Sequence, residues 1–169
     1  RVEKQERGIS PMSEPTTTET TSITNWLAGI FFDEHKEGGY IAAELARRLP
    51  NRSCSIGIAT SHNISLINRS SRPINNMVEM FQGVRVKLDN SNESIIGHSE
   101  GSEGEASYGI RIPPIPGRDL TALYLAGPTD AVQEDLMAIQ EVLTEVGRRI
   151  EENAQSVQDT AEGAAEDGI

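Results

Sequence analysis

The cationic side chains that are best placed to bind a ligand lie in two stretches in which charged and apolar residues alternate. Arg85 and Lys87 alternate with valine and leucine over 84–88, and Arg111 lies between two isoleucines. Alternate side chains of a strand share one face, so these cations are expected on one side of a sheet. A guanidinium offers a planar fork of donors to a carboxylate or phosphate. The pattern predicts a site for a small anionic ligand, and the alternative is a solvated sheet face.

Two amides stand near the start of a short predicted helix. Asn75 and Asn76 follow Pro73, which is tolerated at helix starts, and Met77 and Phe81 give the same helix an apolar side. If this helix covers the cationic sheet face, the two amides can hydrogen-bond a ligand. Alternatively, they cap the helix or face solvent, and the apolar side is ordinary core.

Residues for catalysis or metal binding do not assemble from the sequence. His35, His62 and His98 lie far apart, without the spacing of metal ligands. Cys54, the single cysteine, begins an apolar strand and is expected to be a small buried hydrophobe. The glycine-rich stretch 99–105 contains no lysine and does not match a phosphate-binding loop. We therefore expect no enzyme activity, no metal and no cofactor.

The net charge of the chain limits the kinds of molecule that it is expected to bind. The chain has 169 residues and a formal net charge of -11, which repels phosphate backbones, so direct nucleic-acid binding is not expected. One cysteine excludes an internal disulfide, and the apolar run 27–32 is too short to span a bilayer. Without a signal-peptide pattern, the predicted location is the cytoplasm.

Hydrophobic periodicity predicts an α+β domain with a central antiparallel sheet of about five strands. Terminal helices cover one face, and a short helix and a polar loop cover the other, leaving a cavity between sheet and loop. Residues 1–21 and 153–169 are predicted to be disordered tails flanking a domain over 22–152. The predicted helices are 22–31, 40–49, 74–82 and 130–152; the predicted strands are 54–59, 64–68, 84–88, 108–113 and 120–126; the polar loop is 89–105, with a possible strand fragment at residues 95 and 96.

The C-terminal third resembles a known group of sensor domains. The stretch 108–113 (Tyr-Gly-Ile-Arg-Ile-Pro), a turn, and 120–128 (Leu-Thr-Ala-Leu-Tyr-Leu-Ala-Gly-Pro) precede an amphipathic helix. This ending is similar to that of GAF- and PAS-like small-molecule sensors, in particular the effector-binding domain of IclR-type regulators, and to the sugar-diacid sensor of CdaR-type regulators. The resemblance implies a ligand-binding domain used in transcription regulation. Those regulators carry a helix-turn-helix module, and no basic recognition helix is visible in this sequence.

Two hypotheses of different class follow. The first is a non-catalytic, regulatory domain that binds a small anionic metabolite through Arg85, Lys87, Arg111, Asn75 and Asn76. The alternative is an adaptor or scaffold that binds another protein through its sheet or helices. In either case the apolar stripes of the terminal helices, including Trp26, predict a homodimer.

Overall fold

The computed structural model describes the backbone over residues 17–98 and 104–167, and side chains over 23–98 and 104–155. Four helices and five strands follow one another along the chain. They are α1 (Thr17–Ile30), α2 (Gly38–Arg48), β1 (Ser55–Ala59), β2 (Ile64–Ile67), α3 (Ile74–Asp89), β3 (Ile95–His98), β4 (Glu105–Arg111), β5 (Ala122–Pro128) and α4 (Thr129–Asp167).

The five strands form one open sheet in the order β2-β1-β5-β4-β3. Every neighbouring pair is antiparallel, with Gly57 opposite Tyr124 and Tyr124 opposite Gly109 across the three central strands. The α+β class and the five-stranded antiparallel sheet predicted from the sequence are confirmed. The two edges of the sheet are the short strands β2 and β3.

A separate hydrophobic core lies on each face of the sheet. Leu123 and Leu125 of β5 point toward α1, α2 and α4, whose apolar stripes supply most of the larger core. Tyr124 points the other way, toward α3. The terminal helices therefore share one face, as the sequence predicted, and α3 alone covers the opposite face within the described residues.

Helix α3 approaches the sheet closely because glycines flank Tyr124. A Cβ atom on Gly57 would lie 2.9 Å from Phe81 Cδ2, and one on Gly109 would lie 2.6 Å from Val84 Cγ1. The Phe81 and Tyr124 rings stack with centroids 5.5 Å apart. Side chains of α3 thus fill the space in which the sequence predicted a ligand cavity. A cavity in this interface, beside Met77, measures about 20 Å³, room for a single water.

The predicted strand over 84–88 is wrong, because these residues form the second half of α3. Their alternation also fits a helix: Met77, Phe81, Val84 and Leu88 are buried at spacings of four, three and four. Gly83 does not end the helix, and it lies next to β3, since a Cβ there would stand at an ordinary contact distance of 3.5 Å from His98 Nε2. Val86, which lies between Arg85 and Lys87, is 59% exposed.

The fifth strand comes instead from the predicted polar loop over 89–105. Ile95 and Ile96 begin β3, which pairs along β4 from Ile110 to Ser107. Residues 99–103 of that loop lie outside the described residues.

Helix occupies parts of both segments predicted to be tails, because α1 begins at Thr17 and α4 continues to Asp167. Residues 1–16, 168 and 169 lie outside the described residues. Across the part of the chain that is described, no helix is both long and apolar enough to cross a membrane.

Candidate functional site

The five residues predicted to bind a ligand do not converge on one site. Asn75 and Asn76 lie in the first turn of α3 and are exposed, while Arg85 and Lys87 lie near its other end. At 1.5 Å per residue, about 15 Å of helix separates the two groups. The proposed common sheet face for Arg85, Lys87 and Arg111 is a wrong prediction, because only Arg111 belongs to a strand.

Arg85 is half-buried and holds the turn between β1 and β2. Its Nη2 donates to the carbonyls of Thr60 and Ser61, at 3.0 and 3.3 Å. The same turn is fixed from the other side by Asp119, whose carboxylate accepts from the Ser61 amide and hydroxyl. These bonds lower the pKa of Asp119 below its usual value. Lys87 is exposed, with no hydrogen bond to any described group.

Arg111 lies at the end of β4, where it joins α3 to the segment before β3. Its Nη2 donates to the carbonyls of Leu88 and Ser91, and its Nε donates to the carbonyl of Glu93 at 3.0 Å. The bond to Leu88 is made in the last turn of α3, where carbonyls lack helical partners. Nη1 makes no hydrogen bond to a described group, so part of the guanidinium is available to a ligand.

Arg118, in the turn between β4 and β5, holds a second junction. From the β4–β5 loop, Nη1 donates to the Asp33 carbonyl at 2.7 Å and Nη2 to the Lys36 carbonyl at 2.6 Å. These bonds connect the loop to the linker between α1 and α2. Its Nε is buried without a hydrogen-bond partner among the described residues. The sequence offered one signal, a cation inside the turn Pro-Gly-Arg-Asp, but the linker carbonyls that it binds lie 82 and 85 residues away.

Both arginines line one open surface groove of about 570 Å³, which we call the Arg111 groove. Pro113, Pro114 and Leu120 supply apolar walls, and Ser94 and Thr121 supply hydroxyls. The one carboxylate in its lining, Asp119, is engaged by Ser61. Neither arginine forms an ion pair with a described carboxylate, and the two guanidinium groups outnumber the one carboxylate of Asp119, so the lining carries a net positive charge in an acidic protein.

A second groove of about 340 Å³ has the opposite character; we call it the Glu37 groove. It lies on the other side of the same loop, beside β2 and the start of α2, and shares Arg118 and Asp119 with the first. Glu34 and Glu37 line it with exposed carboxylates that have no hydrogen bond or ion pair within the described part. Lys36, the other cation in the lining, packs its Nζ 4.5 Å from the centre of the Tyr40 ring.

Cys54 and Asp135 form a buried polar contact elsewhere, between β1 and α4. Asp135 Oδ1 accepts from the backbone amide and the Nδ2 of Asn51, both at 3.1 Å, while its Oδ2 is buried without a well-formed hydrogen bond. Burial, followed by the neighbouring Asp135, raises the pKa of Cys54 to about 12. Cys54 is therefore a protonated thiol at neutral pH and a poor nucleophile.

Over the described residues, no group of three histidine, cysteine or acidic side chains could hold a metal ion. Comparison with known proteins does not place the chain in a family. No protein-family model matches the chain, and no curated protein matches its sequence.

Proposed function

We propose that this chain is a non-catalytic regulatory domain that binds a small anionic ligand in the Arg111 groove. The observation that carries the proposal is the pair of arginines, Arg111 and Arg118, without a carboxylate partner among the described residues. Arginine favours carboxylate or phosphate ligands through charge-assisted hydrogen bonds. This proposal keeps Arg111 from the predicted site and replaces the other four residues by the walls of the groove.

The groove also suggests how binding is communicated. Arg111 is bonded to the end of α3, and Arg118 is bonded to the linker between α1 and α2. A ligand that engages both guanidinium groups tightens two junctions on opposite faces of the sheet. Such a ligand shifts the population toward the state in which both junctions are ordered, provided that it binds this state better.

A regulatory role agrees with the resemblance of 108–128 to GAF-like effector domains, and we extend the proposal to a cytoplasmic homodimer. The dimer would use α1, where Trp26 is 43% exposed and Ile23 is 37% exposed. Most of the apolar stripe expected to form this contact is buried within one subunit, Leu27 and Phe31 included. The proposed interface is therefore small.

The proposal is tested by ligand titration with a matched pair of variants. We expect one or more carboxylate or phosphate compounds, screened as organic acids, sugar acids and nucleotides, to raise the melting temperature. A ligand at 100 times its Kd adds about 2.7 kcal/mol of stability. Arg111→Gln should weaken that ligand at least tenfold, and Lys87→Gln, which removes an exposed cation outside the groove, should not. If no anion stabilises the protein, or both variants act alike, the proposal fails.

A second candidate function, an adaptor that binds another protein, is favoured by a different observation. The edge strand β2 has backbone groups without partners among the described residues. Unpaired edges are places where a further strand can be added. The two candidates use different surfaces, so an anion screen and a peptide-binding measurement separate them.

A further inference from the structure

The outer edge of β2 presents a defined set of free hydrogen-bonding groups. The Thr60 amide donates to the Asn63 carbonyl across the turn, so these two residues form a hydrogen-bonded pair. Such pairs alternate with non-bonded pairs along an antiparallel ladder. With Ile58 opposite Ser65 and Gly57 opposite Leu66, Ser65 bonds inward to β1. The N–H and C=O groups of Ile64 and Leu66 therefore point away from the sheet.

This edge lacks most of the features that prevent strand addition. The strand reads Ile-Ser-Leu-Ile and contains no charge and no proline, and all four residues are half-buried. Proteins usually protect an edge with charged side chains, proline, a bulge or a covering segment. No described residue hydrogen-bonds to the outer side of β2. Only its short length restricts what can pair with it, so an added segment would be held by about four backbone hydrogen bonds.

The Glu37 groove adjoins this edge and determines the chemistry of the segment that fits. Ser65 of β2 and Asn63 before it belong to the groove lining. The lining carries three carboxylates, those of Glu34, Glu37 and Asp119, against two cations, so its net charge is negative. The two cations, Arg118 and Lys36, are directed to backbone carbonyls and a tyrosine ring, whereas Glu34 and Glu37 have no ion pair among the described residues. Gly39 lies beside the strand, since a Cβ there would stand at an ordinary contact distance of 3.9 Å from Ser65. A lysine or arginine beside the edge would meet these carboxylates.

We infer that β2 and the Glu37 groove together bind an extended basic peptide segment of a partner protein by strand addition. The backbone of the peptide would pair with Ile64 and Leu66, and a basic side chain would lie in the groove. The net charge of -11 attracts such a segment. This inference rests on the second candidate function and does not require a ligand in the Arg111 groove.

The experiment uses the full chain and three short peptides of the same length. The first alternates lysine and valine, the second has glutamate in place of lysine, and the third is the first with methyl groups on alternate backbone nitrogens. We expect the first peptide to bind and to shift the amide resonances of Ile64 and Leu66. The N-methylated peptide keeps the charge but loses backbone donors, so it should bind roughly tenfold more weakly or worse. The glutamate peptide should bind more weakly still.

Variants of the protein test the contribution of the groove. Glu34→Gln and Glu37→Gln together should weaken the lysine peptide several-fold and reduce the salt dependence of its binding. Glu141→Gln, which removes an exposed carboxylate of α4 without described partners, should leave binding unchanged. Equal binding of the N-methylated peptide, or the absence of shifts at Ile64 and Leu66, would overturn the inference. Peptide binding mapped elsewhere would overturn it while retaining the adaptor function, and shifts that depend on protein concentration alone would assign the edge to a second copy.

Discussion

Asp135 is a buried carboxyl group whose role is to join two elements. It is fully buried on the sheet-facing side of α4, among the apolar positions Val132, Leu136 and Ile139, and it holds Asn51 of the α2–β1 connection. Desolvation raises the pKa of Asp135, and the bonds from Asn51 oppose that shift only in part. The folded state therefore retains the proton of this group to a higher pH than the unfolded chain does.

The first prediction concerns the pH dependence of stability at this residue. Because the folded-state pKa is raised, the stabilising contribution is complete below the unfolded value of about 4 and is lost as pH rises through the folded value. Asp135→Asn keeps an acceptor for Asn51 and removes the titration. Relative to the wild type, its free energy of unfolding should improve steadily from acidic to neutral pH, as measured by urea denaturation.

The control for this prediction is Glu141→Gln, which changes the net charge equally from an exposed position on the same helix. Its free energy of unfolding should follow that of the wild type at each pH. Parallel curves for Asp135→Asn and the wild type would show that Asp135 has the same pKa in the folded and unfolded states.

Sequence reasoning could find the types of residue at the candidate site but not their partners. Arg111 was identified because a cation between two isoleucines is conspicuous, and it does line the groove. The bonds of Arg118 to the Asp33 and Lys36 carbonyls join segments that are distant in sequence, so no local sequence pattern predicts them. Asp135 could not be recognised as a functional residue, because its position continues the apolar periodicity of α4. The sequence alone does not show which residue a polar side chain in such a stripe contacts.

At the scale of elements, α3 and β3 show where local patterns are ambiguous. The segment 84–88 satisfies both a period of two and, with Met77 and Phe81, a helical period. The ambiguity is resolved by tertiary packing: the sheet obtains its fifth strand from Ile95–His98, and the apolar stripe of α3 covers Tyr124. For β1, β2, β4 and β5 the predicted bounds agree with the observed bounds to within a few residues, because each of the two hairpins has a recognisable turn between its strands.

The second prediction tests the close contact between α3 and the sheet. Gly109→Ala places a Cβ within 2.6 Å of Val84 Cγ1, a distance that requires α3 or β4 to move. We expect a loss of about 1–3 kcal/mol in the free energy of unfolding, as for other overpacked cores. Adding Val84→Ala should relieve the clash and make the combined cost smaller than the sum of the two single costs, as measured by a double-mutant cycle in urea.

A matched glycine within α3 should behave in the opposite way. Gly83→Ala adds a Cβ at an ordinary contact distance of 3.5 Å from His98 Nε2. Because Gly83 is in a helix interior, alanine should stabilise the protein by about 0.5–1 kcal/mol. If Gly83→Ala destabilises the protein as much as Gly109→Ala does, α3 does not run unbroken through this residue.

At the scale of the whole molecule, one loop separates two grooves of opposite charge. The β4–β5 loop presents Arg118 and Asp119 to both grooves, with Arg111 on one side and Glu34 and Glu37 on the other. An anion bound on one side and a basic segment bound on the other would both act on this loop and on its attachment to the α1–α2 linker. The arrangement therefore allows the two binding events to be coupled through a shared element, as required for reciprocal linkage.

The last prediction is a homodimer formed through the terminal helices. In α1 Ile23 and Trp26 remain exposed, and the Arg48 guanidinium lies 4.2 Å from the centre of the Trp26 ring. A partner helix can bury this surface, and α4 brings the exposed Met137 and a backbone that continues as helix to Asp167. Light scattering at micromolar concentration should therefore give twice the monomer mass, and Trp26→Glu should dissociate the dimer without loss of helix by circular dichroism. Ile74→Glu, which adds the same charge at an exposed isoleucine of α3, should leave the dimer intact. A monomer mass that persists at higher concentration would exclude the dimer. The monomer would then need no partner to cover its apolar helices, because Leu27, Phe31 and the α4 stripe are already buried within one subunit.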